Sequence, residues 1–238
     1  MSELQDRYHA VLERIEQAAK RAGRPSAEIT LVAVTKTWPV EVVQAAYAAG
    51  MRQFGENRPE ELAAKRPQLP DDILWHQIGV LQSRKTGLVA DHADVFHALD
   101  RLKIARRLSK RLVENGRTLP LFLEVNVSGE ASKSGLFCPR WETDATRQTE
   151  LRTVVETVNN LPGLQLRGLM TMAPWDAPEA EIRTVFRRTR KLAEWLATAV
   201  PGADLSQLSM GMTDDYPIAI EEGATHVRVG RAIFGSRR

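Results

Sequence analysis

The apolar positions of this chain keep two rhythms in turn. Over residues 2–22 they recur at helical spacing, at Leu4, Tyr8, Val11, Leu12, Ile15, Ala18 and Ala19, which predicts an amphipathic helix ended by Gly23-Arg-Pro25. Ile29-Thr-Leu-Val-Ala-Val-Thr-Lys36 is then a continuous run of mostly branched side chains, as in a strand covered on both faces of a parallel sheet. A helix follows from Pro39 to Ala49, with Thr37 as a plausible N-cap and Pro39 near its first turn. The alternation continues to the end of the chain. Strands are predicted at 53–57, 74–79, 95–99, 120–126, 164–171, 208–212 and 226–230. Helices are predicted from Pro59, over 83–89, along Arg101 to Arg111, over 143–160, over 178–199 and from Thr213-Asp-Asp-Tyr-Pro217 to Glu222.

Eight strands, each followed by a helix, within 238 residues predict an α/β fold. Its form would be a single (β/α)8 barrel with an extra N-terminal helix, one domain over 1–238. A doubly wound open sheet is the alternative. It usually carries a glycine-rich turn after its first strand, and here that turn is Thr35-Lys-Thr-Trp.

Composition narrows the class. No apolar run reaches the length of a membrane span, and Met1-Ser-Glu-Leu-Gln-Asp lacks the plan of a signal peptide. The single cysteine, Cys138, cannot form an internal disulfide, which agrees with a reducing cytoplasm. A net charge of +3 is small. Its basic clusters, Arg101 to Arg111 and Arg183 to Lys191, alternate with Ile104, Leu108, Val185 and Phe186. That spacing describes solvated outer helix faces and argues against a nucleic-acid partner. Cytoplasmic location is the expectation, with no membrane contact.

A barrel puts its chemistry at the carboxyl ends of its strands. Those ends carry Lys36, Asn57, Gly79, Asn126, Thr171, Ser209 to Met212 and Gly230. Lys36 at such a place is a phosphate anchor, a desolvated amine able to attack a carbonyl, or an ammonium reaching out to water. Alternation turns His226, Arg228 and Gly230 inward if Val227 and Val229 pack outward. A buried guanidinium needs partners, and an ion pair with Glu56 or Glu124 is the structural alternative to a ligand. Ser209, Gly211 and the turn Gly230-Arg231-Ala232 lie where barrels hold phosphate, and each glycine also suits an ordinary tight turn. Five histidines and one cysteine show no metal-ligand spacing, and His76 reads as a satisfied core or rim residue. Asp71-Asp72 and Asp214-Asp215 adjoin helix starts, where capping explains them. A strand-end lysine, an inward arginine and phosphate-type turns on the last two strands together suggest pyridoxal 5′-phosphate (PLP).

At these residues the sequence resembles the pyridoxal phosphate homeostasis protein family, which is alanine racemase N-terminal-domain-like. The matching segments are Val32-Ala-Val-Thr-Lys36, Phe54-Gly-Glu-Asn57, Trp75 to Gln82, Val125-Asn126 with Ser132-Lys-Ser-Gly135, Gly168-Leu-Met170, Leu208-Ser-Met-Gly-Met212 and Val227 to Gly235. The resemblance implies that Lys36 carries PLP as a Schiff base, that Arg228 faces the pyridine nitrogen and that Asn57 lies beside the ring. It also implies that Ser209 and the backbone around Met210, Gly230 and Arg231 hold the phosphate. Two positions depart from the family: Arg84 stands where asparagine is common, and Thr213 replaces a common serine.

Arginine at the pyridine nitrogen gives a weaker electron sink than an aspartate would. Fold-related racemases also need a second base from an added β domain, for which this chain, ending at Arg238, has no residues. None of Tyr8, Tyr47 and Tyr216 is placed as that base. The expectation is a PLP carrier in cofactor homeostasis, serving PLP-dependent apo-enzymes with no catalytic residues and no metal. A barrel-only PLP-dependent amino-acid racemase is the alternative.

Overall fold

Residues 3–235 are described by the structure, a computed structural model. The predicted helix start at Ser2 and the chain end at Arg238 lie outside them. Among the described residues nine strands form: β1 (Thr30–Val34), β2 (Gln53–Glu56), β3 (Leu74–Gln77), β4 (Val95–Leu99), β5 (Leu119–Asn126), β6 (Leu136–Phe137), β7 (Leu164–Met170), β8 (Gln207–Ser209) and β9 (His226–Val229). All pair in parallel, in the order β4-β3-β2-β1-β9-β8-β7-β5, and β4 pairs with β5 to close the ring. The sequence-based expectation of an eight-stranded barrel thus holds, with β6 as a short addition on β5. Buried aromatic and aliphatic side chains, among them Phe54, Trp75, Phe96, Leu108 and Phe186, fill the space between barrel and helices.

The extra helix α1 (Glu3–Arg21) buries Val11, Ile15, Ala18 and Ala19. It packs on α8 (Tyr216–Glu221) and α9 (Arg231–Phe234), the two shortest helices of the outer ring at six and four residues. It thereby covers barrel wall that those short helices leave open. Gly23, at φ +67, supplies the left-handed residue that turns the chain out of α1.

Several local expectations are corrected. Thr37 does not cap α2 (Val40–Ala48); Pro39 holds that place in extended conformation, and Thr37 lies at φ +66. β6 was not foreseen, because two residues are too few to show alternation. The Asn126 side chain makes it by folding the loop back: its Oδ1 accepts from Ser128 Oγ and the Gly129 N–H, and its Nδ2 donates to Glu130 O. Leu136 and Phe137 then pair with Val125 and Asn126. β8 stops at Ser209, three residues before the predicted end, since Gly211 at φ +94 turns the chain toward α8. A Cβ on Gly211 would stand 2.9 Å from Tyr216 Cα.

Candidate functional site

Side chains of each barrel strand alternate between lumen and outer wall. Val32 and Val34 on β1, Gly55 on β2, His76 on β3, Glu124 on β5, Met170 on β7 and Arg228 on β9 take the inner face. The same parity carried past the strand ends gives Lys36, Asn57, Ile78, Met172 and Gly230. A cavity of about 580 Å³ opens at this carboxyl end. Its wall includes Val34, Lys36, Asn57, Ile78, Glu124, Met170, Met172, Arg228 and Gly230, joined from the loops by Trp175, Met212, Thr213 and Arg231.

Lys36 sits between two fixed residues. Thr35 Oγ1 donates to Glu56 Oε1 at 2.7 Å, while Lys65 Nζ, from α3 (Pro59–Lys65), donates to the same oxygen at 2.7 Å and to Thr35 O at 3.0 Å. On the other side, the Thr37 N–H donates to Glu61 Oε2 at 2.7 Å, which helps hold a left-handed backbone that a β-branched residue resists. Glu56 therefore serves Lys65 on the outer wall and does not pair with Arg228. Burial pushes the Glu56 carboxyl up to about 7 against the opposing pull of Lys65.

Arg228 is anchored below the cavity. Its Nη1 donates to Ser209 Oγ at 2.6 Å and its Nη2 to Thr171 O at 3.0 Å. Gln53 Oε1 at the far end only accepts, so with both imidazoles neutral His97 Nδ1 is the acceptor and Ser209 passes its own proton to it at 2.7 Å. His97 Nε2–H then donates to His76 Nδ1 at 2.8 Å, and His76 Nε2–H to Gln53 Oε1 at 2.8 Å. Both imidazoles are neutral in this chain of donors. Burial brings His76 down to about 3 and His226 to about 4, and it holds His97 well below the usual imidazole range. His97 stacks on Phe122, with His226 edge-on to both. Burial also lowers Arg228 to about 10, which leaves it protonated at neutral pH.

The predicted residues divide. Lys36, Asn57, Arg228, Gly230 and Arg231 line one cavity. Ser209 and Met210 lie beneath it, fully buried, with the Ser209 hydroxyl engaged by Arg228 and His97 and the Met210 N–H donated to His226 O. Sequence reasoning missed Met170, Met172, Trp175 and Glu124. Strand parity was signal enough for Met170, Met172 and Glu124, whereas Trp175 comes from an irregular loop. Both Glu124 carboxylate oxygens are buried with no hydrogen-bond partner. Burial first, then the Asp100 carboxyl, pushes Glu124 up to about 7. Arg84 is exposed, with its Nε on Gln82 Oε1 at 3.2 Å. Cys138 is buried and its thiol is pushed up to about 12 by that burial, leaving it unreactive. Much of the arginine charge on α7 (Glu179–Ala199) is spent on acids, as where Arg183 and Arg187 grip Glu222 and Arg188 grips Glu142.

Comparison with known proteins bears on this arrangement. The model of the alanine racemase N-terminal domain matches residues 7–238. The pyridoxal phosphate homeostasis protein of Pseudomonas aeruginosa is 43% identical over 238 residues, covering 100% of this chain and 97% of that protein. PipY of Synechococcus elongatus, solved with PLP bound, superposes with a TM-score of 0.80 at 36% identity, covering 94% of this chain and 100% of PipY. An alanine racemase of Clostridium difficile shares the barrel fold, with a TM-score of 0.70 at 14% identity over 95% of this chain and 56% of the racemase.

Proposed function

This chain belongs to the pyridoxal phosphate homeostasis protein family, and from that premise we propose that it carries PLP as a Schiff base on Lys36. It would hold the cofactor in the cytoplasm for PLP-dependent apo-enzymes, with little or no catalysis of its own. One observation carries the reading: Lys36 and Arg228 share a cavity with the Gly230-Arg231 turn. The donor set fits the cofactor. PLP brings an aldehyde, which condenses with a lysine amine and releases water. The Arg228 guanidinium suits the pyridine nitrogen, to which it donates a hydrogen bond without giving up its proton. Asn57, on the same cavity wall, would stand at the ring's edge. Gly230 and Arg231 would hold the phosphate with Thr213, which keeps the hydroxyl of the serine it replaces. Ser209 and Met210, expected at the phosphate from the resemblance, support the site from below.

The carrier reading is favoured over the racemase by the tyrosines. Tyr47 Oη is engaged with Asp72 on the outer wall, Tyr8 lies on α1 and Tyr216 is buried on α8; the cavity lining includes none of them. Among the described residues no helix is long and apolar enough to cross a membrane. The test is direct. Purified protein with PLP should develop a near-visible absorption band, and borohydride should fix the label on Lys36 in peptide mapping. Lys36→Ala should lose the label while keeping its circular dichroism. Racemisation of an L-amino acid far beyond stoichiometry would overturn the carrier reading, and a label on another lysine would overturn the assignment of Lys36.

A further inference from the structure

Across the barrel from Lys36, the inner wall carries two carboxyls whose hydrogen-bonding capacity is largely unspent. β5 is the fourth strand from β1 in either direction around the ring, so Glu124 faces Lys36 across the lumen. On β4 an irregularity between Phe96 and Leu99 shifts the pairing with β5, from Phe96 opposite Leu121 to Leu99 opposite Leu123. Continuing that register by one residue sets Asp100 beside Glu124, both on the inner face. Asp100 gives Oδ2 to Arg101 at 2.5 Å, while its Oδ1 is buried without a partner. Glu124 is 1% exposed, lines the cavity and has no partner on either oxygen. Glu56, the other fully buried acid of this end, draws Lys65 and Thr35 to its Oε1 and leaves only Oε2 without a partner. The Arg228 charge acts on Glu124, but no hydrogen bond from it reaches that carboxyl: its Nη1 and Nη2 are directed to Ser209 and Thr171.

We infer that Glu124, with Asp100 behind it, forms a subsite for the ammonium group of a primary amine entering the cavity opposite Lys36. The two unpartnered oxygens of Glu124, in a wall shared with Met170, Met172 and Ile78 and backed by the unpartnered Oδ1 of Asp100, call for a cationic donor. An ammonium supplies three N–H donors on a compact centre. A divalent metal would require more protein ligands, and no cluster of three or more ligating residues exists among the described residues. The inference rests on the carrier reading in one respect: an amine is the chemical class able to take an aldehyde from Lys36. The subsite would receive that amine, whether a small molecule or a lysine side chain, beside the bound cofactor.

The probe is n-butylamine, with n-butanol as its uncharged counterpart. Calorimetry on unloaded protein should show saturable binding of the amine and not of the alcohol. Glu124→Gln should weaken it at least about tenfold, the scale of losing one charge-assisted hydrogen bond, Asp100→Asn should weaken it less, and Glu124→Asp should restore part of it. Equal affinity for butanol, unchanged affinity in Glu124→Gln, or displacement of the amine by micromolar magnesium or zinc would overturn the inference. In a second arm, butylamine should remove PLP from loaded protein with a rate that saturates, at a half-saturating concentration raised in Glu124→Gln. A rate strictly linear in amine and equal in both proteins counts against the subsite. If no near-visible band forms on adding PLP, the carrier reading fails while the calorimetric arm still decides the subsite. Should Glu124→Gln fail to fold, the amine-to-alcohol contrast and Asp100→Asn still decide it.

Discussion

Arg228 Nη1 lies 2.6 Å from Ser209 Oγ, and that contact joins the guanidinium to a line of buried hydrogen bonds that runs through two histidines. Because Gln53 Oε1 only accepts and both imidazoles are neutral, Ser209, His97 and His76 each have one assignable proton, and the line of donors ends on Gln53. Ser209→Ala would leave Arg228 Nη1 and His97 Nδ1 without their partner in the barrel interior. A loss of about 1–3 kcal/mol in unfolding free energy is expected, read from urea denaturation. PLP affinity should fall with it, since Arg228 loses one of its two anchors. An unchanged denaturation midpoint would show that the hydroxyl does not hold Arg228.

The buried histidines make stability depend on pH in a definite sense. His226 titrates near 6.5 when exposed and near 4 in the fold. Between those values the unfolded chain binds a proton that the folded one refuses, so acidification favours unfolding. The raised Glu56 and Glu124 act in the opposite direction as pH rises from about 4.5 to 7, so a difference measurement is needed. Wild type should lose stability relative to His226→Gln as pH falls from 6.5 to 4, by at most about 1.4 kcal/mol per pH unit. Parallel pH curves for the two proteins would place His226 in water.

Trp175 is 70% exposed at the cavity mouth, with the Arg231 guanidinium 4.8 Å from its ring centroid. Of the five tryptophans it alone belongs to the cavity wall. Binding of PLP should quench the emission of the native protein, and Trp175→Phe should remove the larger part of that quenching. Equal quenching in the variant would put the bound cofactor away from this loop.

Gly168 marks where two strands need to touch. A Cβ there would stand 1.7 Å from Gln207 O, which no side-chain rotation can relieve. Gly168→Ala should therefore separate β7 from β8 and lower stability by about 3 kcal/mol or more. Thermal unfolding reports it, and a melting temperature close to that of the native protein would contradict the close approach.

Most of the architecture was legible along the chain. Strand and helix rhythms give the element order, the end of the first strand places Lys36 at the barrel mouth, and the two-residue period on β9 turns Arg228 inward. Short or irregular pieces escaped: β6 is two residues long and made by an asparagine side chain, and Thr37 adopts a conformation that its residue type disfavours. Strand-end position and resemblance set Ser209 and the backbone around Met210 at the phosphate, while the Ser209 hydroxyl bonds Arg228 and His97 and the Met210 N–H bonds His226 O. Periodicity reports which way a side chain points because it is a local property of the backbone. Which groups satisfy one another is settled only when the ring closes, bringing His76, His97 and His226 into one layer and, through the shifted register of β4, Asp100 beside Glu124.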